Sequence, residues 1–277
     1  MKYLLAVILL LHAVYTQAQQ KAIVKKVDLC IYGGTSAGVI AAYSAQKMGK
    51  TAIIIEPGRH LGGMTSGGLS ATDIGNKLAI TGLSRDFYRR LGSHYGKFEH
   101  WLPEPKVAER IFNDYVKESG AEVVYEMRLS HVLKSGPQIQ IAVFEPSGAK
   151  GQPNVVVQAA QYMDCTYEGD LMAMAGVSFF IGREANAMYN ETLSGVQLQD
   201  RHQFEDGIDP YKVKGDPNSG LLWGISPIPV LTNGTGDRKV QAYNFRLCMT
   251  YDSLNRMPIP KPDNYDPSRY EMLIRLM

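Results

Sequence analysis

The chain has 277 residues, with 29 Lys and Arg against 27 Asp and Glu for a formal net charge of +2, and is 45% hydrophobic and 20% charged. That composition supplies a sizeable core and excludes a disordered, collagenous or coiled-coil chain. Near-neutral charge without a long Lys/Arg run gives no electrostatic footprint for nucleic acid or an anionic membrane, so neither is an expected partner. Nine of the 27 glycines fall between Gly33 and Gly68, so one short stretch has unusual backbone demands.

MKYLLAVILLLHAVYTQAQQ reads as a Sec signal peptide over residues 1–18: Lys2, an apolar core from Leu4 to Val14, and Thr16-Gln17-Ala18 as a small-residue cleavage pattern. The apolar run is shorter than the roughly 20 residues of a spanning helix, and His12 interrupts it. Export to a periplasm or the exterior is expected, with no integral membrane segment once the signal is removed. Cys30, Cys165 and Cys248 lack C-x-x-C spacing and sit in apolar, strand-like contexts, so buried thiols are expected and no metal site.

VDLCIY from Val27 to Tyr32 predicts a strand, GGTSAG a turn, Val39 to Met48 a helix stopped by Gly49, and TAIIIE a second strand. Both apolar runs are continuous rather than alternating, as parallel strands covered on both faces require. A helix is predicted around Leu83 to Leu91. Another runs through PKVAERIFNDYVKESG, with Val107, Ile111, Tyr115 and Val116 on one face and Gly120 at C′. AEVVYEMRLSHVL, QIQIAVFE and NVVVQAAQYMDCT then read as successive strands. From Ala185 the texture changes. Eight prolines between Pro210 and Pro267 predict a loop-rich layer; VQAYNFRLCMT predicts a half-buried strand, and YEMLIRLM a helical stretch.

Gly33, Thr35 and Gly38 occupy the three glycine places of a dinucleotide fingerprint, with Gly34 beside the substituted middle place. Glu56 ends the second strand 18 residues after Gly38, where a carboxylate accepts both ribose hydroxyls. The amides from Thr35 through Ser36 and Ala37 to Gly38 then face a pyrophosphate at the positive end of the helix. The second cluster, Gly62-Gly63 and Gly67-Gly68 around Met64 and Thr65, follows the acid directly, where backbone amides approach the cofactor's reactive ring. Two other motifs share these letters. Gly34-Thr35-Ser36-Ala37-Gly38 is literally G-x-S-x-G, a nucleophile elbow with Ser36 as nucleophile. An elbow follows several earlier strands, however, and here the fingerprint strand comes first. Gly49-Lys50-Thr51 resembles the end of a P-loop, but Ser44 stands where glycine is required.

Taken together, YGGTSAGVIAA, IIIEPGRHLGGMTSGG, PKVAERIF, DCTYEGDLMAMAGVSF and QAYNFRLC resemble the FAD-dependent oxidoreductase family found in many secreted bacterial proteins, from about Val27 to the end. The resemblance implies FAD as cofactor and an α/β fold: a Rossmann-like FAD-binding parallel sheet with a β-meander and an additional α+β, loop-rich substrate region. It implies an FAD-binding domain over 19–184 with a helical insertion at about 69–120, and a partial substrate or cap region over 185–277. Cys165-Thr166-Tyr167 occupies the place of the A-T-G strand end that closes over FAD, which brings Thr166 into the cofactor set. Leu129 matches the position whose backbone meets the adenine. Nothing after Thr250 resembles the C-terminal strand-helix segment that completes such FAD sites, so an N-terminal fragment is expected.

The expected activity is hydride transfer from a small organic substrate to flavin, with electrons passed to oxygen or an envelope carrier, since the sequence carries one dinucleotide fingerprint. The alternatives are an α/β-hydrolase using Ser36 and a non-catalytic secreted binding protein. No residue is assigned as the catalytic base. His60 is read as a structural hydrogen-bonding residue before a base, Asp164 and Glu168 as capping or solvent-facing residues at the strand end, the pair Asn244 and Arg246 equally as a substrate clamp or a solvated face, and Arg183 and Asn186 carry no better warrant.

Overall fold

The computed structural model describes residues 22–69, 71–72, 74–148, 152–199, 204–241, 247 and 249–277. The signal peptide, and Tyr243, Asn244, Phe245, Arg246 and Cys248 of the strand expected over 240–250, lie outside the described residues.

β1 (Ile23–Tyr32) leads through a turn into α1 (Ser36–Lys47), which returns to β2 (Ala52–Glu56). Two helices follow, α2 (Gly82–His94) and α3 (Pro105–Ser119), then β3 (Glu122–Tyr125), β4 (Met127–Ser135), β5 (Gln138–Pro146), β6 (Val155–Asp164) and the short α4 (Asp170–Met174). The strand order is β3-β2-β1-β6-β5-β4. β3, β2, β1 and β6 are parallel, whereas β6, β5 and β4 form an antiparallel meander. The α/β architecture with a mostly parallel sheet and a meander is therefore present.

The continuous apolar runs have a direct physical cause. Successive strand side chains point to opposite faces. Ile31 and Ile54 face α1, α2 and α3 together with Val39, Leu91, Ile111 and Phe112, while Cys30, Tyr32, Ile53 and Ile55 face the meander through Met127, Leu129, Phe144 and Val157. The strands β1 and β2 thus lie between the helices on one face and side chains of the meander on the other, and each fully buried Ile contributes roughly 1.5–3 kcal/mol of transfer free energy. Burial pushes the Cys30 thiol up to about 12, which makes it an inert core group.

The helices end as their sequences predict. Gly120 directly follows α3 and Gly49 follows Met48, the cap of α1; both take positive φ, at 73° in each case, and Pro105 opens α3. Beyond the expected stripe of α3, Ala108 and Phe112 are also buried, and Phe112 stacks on Phe87 with ring centroids 4.8 Å apart.

Two expectations are corrected. AEVVYEMRLSHVL is not a single strand, because Glu126 adopts φ 57° and divides it into β3 and β4. The Glu126 amide donates to Gly58 O at 3.0 Å and its carbonyl accepts from Ser147 N at 2.8 Å, so tertiary hydrogen bonds compensate the left-handed backbone. The break sends the chain from the β2 side of the sheet to the far edge of the meander. Cys165 is likewise not a buried strand residue: it is half-buried and lies just beyond β6.

α2 and α3 are joined by a polar cluster. Tyr115 Oη donates to Asp86 at 2.6 Å, Arg90 bonds Asp86 at 2.8 Å and Glu118 at 2.6 Å, and its guanidinium lies 4.0 Å from the Tyr115 ring centroid. Burial alone raises the Asp86 pKa, but hydrogen bonds from Tyr115 and Arg90 outweigh it and hold the carboxyl below its ordinary value. A lowered carboxylate pKa stabilises the fold above the ordinary range and loses that contribution as pH falls through the lowered value. Tyr115→Phe is expected to cost about 1 kcal/mol in urea unfolding at pH 7, with the difference from wild type shrinking in acid as Asp86 protonates. An unchanged midpoint at pH 7 contradicts this role.

The chain divides into two compact units, one through Ser178 and the other from Phe179, apart from the stretch around 247. Among the described residues the second contains the four-residue α5 (Asn186–Tyr189), the hairpin β7 (Tyr211–Val213) and β8 (Asp216–Leu221), and α6 (Glu271–Leu276). Arg275 of α6 donates to the carbonyls of Asp209 at 3.0 Å and Tyr211 at 2.7 Å, fastening helix to hairpin. No described helix is long and apolar enough to cross a membrane.

Candidate functional site

Ligands of open parallel sheets bind beyond the carboxyl ends of the strands, where neighbouring strands continue in opposite directions. Here that place lies between β1 and β6: from β1 the chain runs through α1 to β2 on one side, and β6 lies on the other. Three segments meet there, the 33–38 turn, the 62–66 turn and the 164–169 turn.

Gly33 takes φ 100°, its amide donates to Ile55 O at 2.8 Å, and a Cβ on it would stand 2.8 Å from the Cys165 carbonyl carbon and the Thr166 nitrogen. At Gly38 an added Cβ would collide with the carbonyl oxygen of Gly33. Both glycines are therefore required by backbone meeting backbone. The middle place is explained by Thr35, which is only 7% exposed: its hydroxyl donates to Cys165 O at 2.8 Å and accepts the Gly38 amide at 3.4 Å. Threonine here caps α1 and ties the turn to the end of β6, with its side chain withdrawn from solvent. Ser36 and Ala37 begin the 12-residue α1, whose amino end presents free amides and a partial positive charge.

Glu56 ends β2 as expected. Its Oε2 accepts the Gly34 amide and its Oε1 the Gly58 amide, both at 2.6 Å. Two amides fix the carboxylate beside the turn, yet a carboxylate has about four lone-pair sites, so acceptor capacity remains for a ribose diol. The residues present thus fit an adenine dinucleotide: a glycine turn at a helix amino end, next to an immobilised acceptor.

The second glycine turn is held onto the first. Gly62 N donates to Gly34 O at 2.8 Å, and Thr35 and Gly62 form a parallel bridge. Gly62 and Gly63 have φ 99° and 54°, and side chains there would strike Phe112 and Tyr167 respectively. These glycines are accounted for by protein packing as well as by access to a ligand. Met64 N donates to Tyr167 Oη at 2.7 Å, and Thr65 ends the single helical turn Gly63–Thr65. Ser66 closes the turn internally, its hydroxyl donating to Leu61 O.

Leu129 is buried, and its amide donates to Tyr32 Oη at 3.1 Å, so that amide is satisfied within the protein. Burial, opposed by this bond, raises the Tyr32 pKa. Thr166 Oγ1 donates to Asp164 at 2.7 Å and accepts the Gly169 amide at 3.0 Å. Asp164 also accepts Met172 N at 3.0 Å and so secures α4, the capping role that its position allowed. Burial raises the Cys165 thiol to about 11, leaving it protonated at neutral pH.

The remaining candidates are distributed elsewhere. His60 Nδ1 lies 2.9 Å from Glu109 Oε1, with its side chain 78% exposed, and links the segment after β2 to α3. Arg183 Nε bonds Asp237 at 3.0 Å, and Asn186 N donates to Gly234 O at 3.0 Å, both as structural ties within the second unit. Among the described residues no histidine is hydrogen-bonded to Ser36, the contact an elbow nucleophile makes with its base. Ser36 instead lines a cavity of about 340 Å³ with Ala37, Ile40, Thr65, Phe87 and Phe112. A cleft of about 670 Å³ lies by Asp28, Thr51 and Gln158, away from the carboxyl ends of the parallel strands. Sequence reasoning missed Tyr32 and Tyr167; for Tyr167 the available signal was its place within DCTYEGD, directly after the strand end.

No curated protein matches the chain. Among solved structures it is similar to the flavin-dependent brominase Bmp2, at 15% identity over 58% of this chain and 43% of that one, with a TM-score of 0.42. It is similar to a flavoprotein/dehydrogenase from Cytophaga hutchinsonii, at 16% identity over 57% and 44%, TM-score 0.43. A third is L-proline dehydrogenase from P. horikoshii, at 15% identity over 59% of each chain, TM-score 0.43. The chain spans less than half the length of the first two. The model of the FAD dependent oxidoreductase family matches residues 28–277, which is most of the chain and includes every segment of the site. The chain belongs to the FAD dependent oxidoreductase family, and FAD is its cofactor.

Proposed function

We propose that the chain carries the cofactor site of an oxidoreductase that takes a hydride from a small organic substrate and passes the electrons to oxygen or an envelope carrier. The observation that carries this reading is the fixed Glu56 carboxylate beside the glycine turn at the amino end of α1. When bound, FAD supplies the redox chemistry, and the protein supplies binding, orientation and electrostatics. In this reading the amides of Thr35, Ser36 and Ala37 face the pyrophosphate, while those of Gly33, Gly34 and Gly38 hold the turn through Ile55 O, Glu56 and Thr35 Oγ1, and Glu56 accepts the ribose hydroxyls. Gly62, Gly63, Met64 and Thr65 line the path toward the flavin. The Leu129 backbone borders the adenine, and Thr166 closes the site from the β6 side. Residues 19–184 form the cofactor domain in this reading, and 185–277 belong to the substrate region.

The single dinucleotide fingerprint and the export signal favour an organic reductant over NAD(P)H. Anaerobic stopped-flow reduction of the FAD-loaded protein tests this: a small organic donor from a panel of alcohols, amines and hydroxy acids is expected to bleach the flavin faster than NADH. Reduction by NADH as fast as by any organic donor contradicts the proposal. Export is tested by sequencing the amino terminus of protein recovered from the cell envelope or medium. A start near Gln19 supports it, and cytoplasmic protein retaining residues 1–18 contradicts it.

A further inference from the structure

We propose that Tyr167 is a positioning residue for the cofactor, latching the 62–66 turn to the end of β6 so that its backbone is fixed before FAD binds. The inference rests on the cofactor reading above and extends it to a residue outside the fingerprint. The three turns of the site are joined pairwise. The first and third are joined by Thr35 Oγ1 to Cys165 O at 2.8 Å, and the first and second by Gly62 N to Gly34 O at 2.8 Å. Tyr167 provides the remaining connection, accepting Met64 N at 2.7 Å across 103 residues of sequence. Its phenol oxygen also occupies the space that a side chain on Gly63 would fill, and Gly63 holds φ 54°. Tyrosine and glycine are thus a matched pair.

Tyr167 is 56% exposed and Met64 54%, so removing the hydroxyl lets water satisfy the Met64 amide and does not strand a buried donor. Tyr167→Phe therefore isolates the latch from folding. It is expected to leave the melting temperature of the FAD-free protein nearly unchanged, to accelerate hydrogen exchange at the Met64 amide, and to raise the FAD dissociation constant roughly 3- to 10-fold. The visible spectrum of the bound flavin is expected to lose vibronic resolution as the turn loosens. Gly63→Ala is expected to weaken FAD binding about tenfold or more by expelling the phenol, and by a smaller factor when introduced into Tyr167→Ala, where only the positive φ and the 3.2 Å approach to Thr35 Cβ remain. Wild-type exchange, affinity and spectrum in Tyr167→Phe, with losses confined to Tyr167→Ala, would assign the residue to ring packing and overturn the latch. Additive effects of Gly63→Ala and Tyr167→Ala would overturn the pairing. Failure of the wild-type chain to take up FAD would overturn the cofactor role itself, and exchange at Met64 decides the latch independently of that result.

Discussion

Gly38→Ala is expected to abolish FAD uptake and to destabilise the protein by about 3 kcal/mol or more, at the upper end of what overpacking costs. The cause is local and unavoidable. A Cβ at position 38 enters the space of the Gly33 carbonyl oxygen, with Ile31 Cγ2 only 3.2 Å from the same point. No flexible side chain can yield there, so either α1 shifts away from β1 or the 33–38 turn opens. Both movements displace the amides proposed to meet the pyrophosphate. Gly49→Ala is the internal control. Gly49 has φ 73° but nothing within 4 Å of an added Cβ, so the expected cost is about 1 kcal/mol of backbone strain with FAD affinity unchanged. Denaturant unfolding together with FAD titration of the two variants distinguishes them. Equal FAD affinity in Gly38→Ala and Gly49→Ala would contradict the assignment of the turn.

Glu56→Ala is expected to raise the FAD dissociation constant about 100-fold, equivalent to about 2.7 kcal/mol. Two contributions combine. The ribose loses its acceptor, and the Gly34 and Gly58 amides lose a charged partner that holds the turn, an interaction of roughly 1.5–3 kcal/mol for each such bond. Glu56→Gln retains the shape but presents an NH2 group toward one of the two amide donors, so an intermediate loss of about tenfold is expected. Isothermal titration with FAD measures both variants. Affinity in Glu56→Ala equal to wild type contradicts the ribose role.

How much of this site was legible in the sequence follows from the distance over which each interaction acts. The β1-α1-β2 unit, its Glu56 and the Gly120 stop of α3 depend on local spacing and backbone conformation, and they lie where the residues predict. The two-faced burial of Ile53, Ile54 and Ile55 was also visible, as a run without alternation. The interactions that complete the site are remote. Local spacing marks Thr35 only as a substituted glycine, because the partner of its hydroxyl, Cys165, lies 130 residues away. Tyr167 reaches Met64 across 103 residues, which no local pattern encodes. Glu126 is illegible for a related reason. Nothing about a glutamate between Tyr125 and Met127 marks a positive φ, because the partners that compensate it, Gly58 and Ser147, come from elsewhere in the chain. His60 shows the converse: a lone histidine between Glu56 and Gly62 reads first as a structural hydrogen-bonding residue, and its bond to Glu109 ties it to α3 in that role.

The most direct measurement is titration of FAD into the purified wild-type protein, followed by the visible flavin spectrum, with ADP as competitor. A saturable spectral shift that excess ADP reverses is predicted, because the glycine turn and Glu56 are proposed to hold the ADP half of the cofactor. A free-flavin spectrum throughout, or a shift that excess ADP leaves in place, would contradict that account.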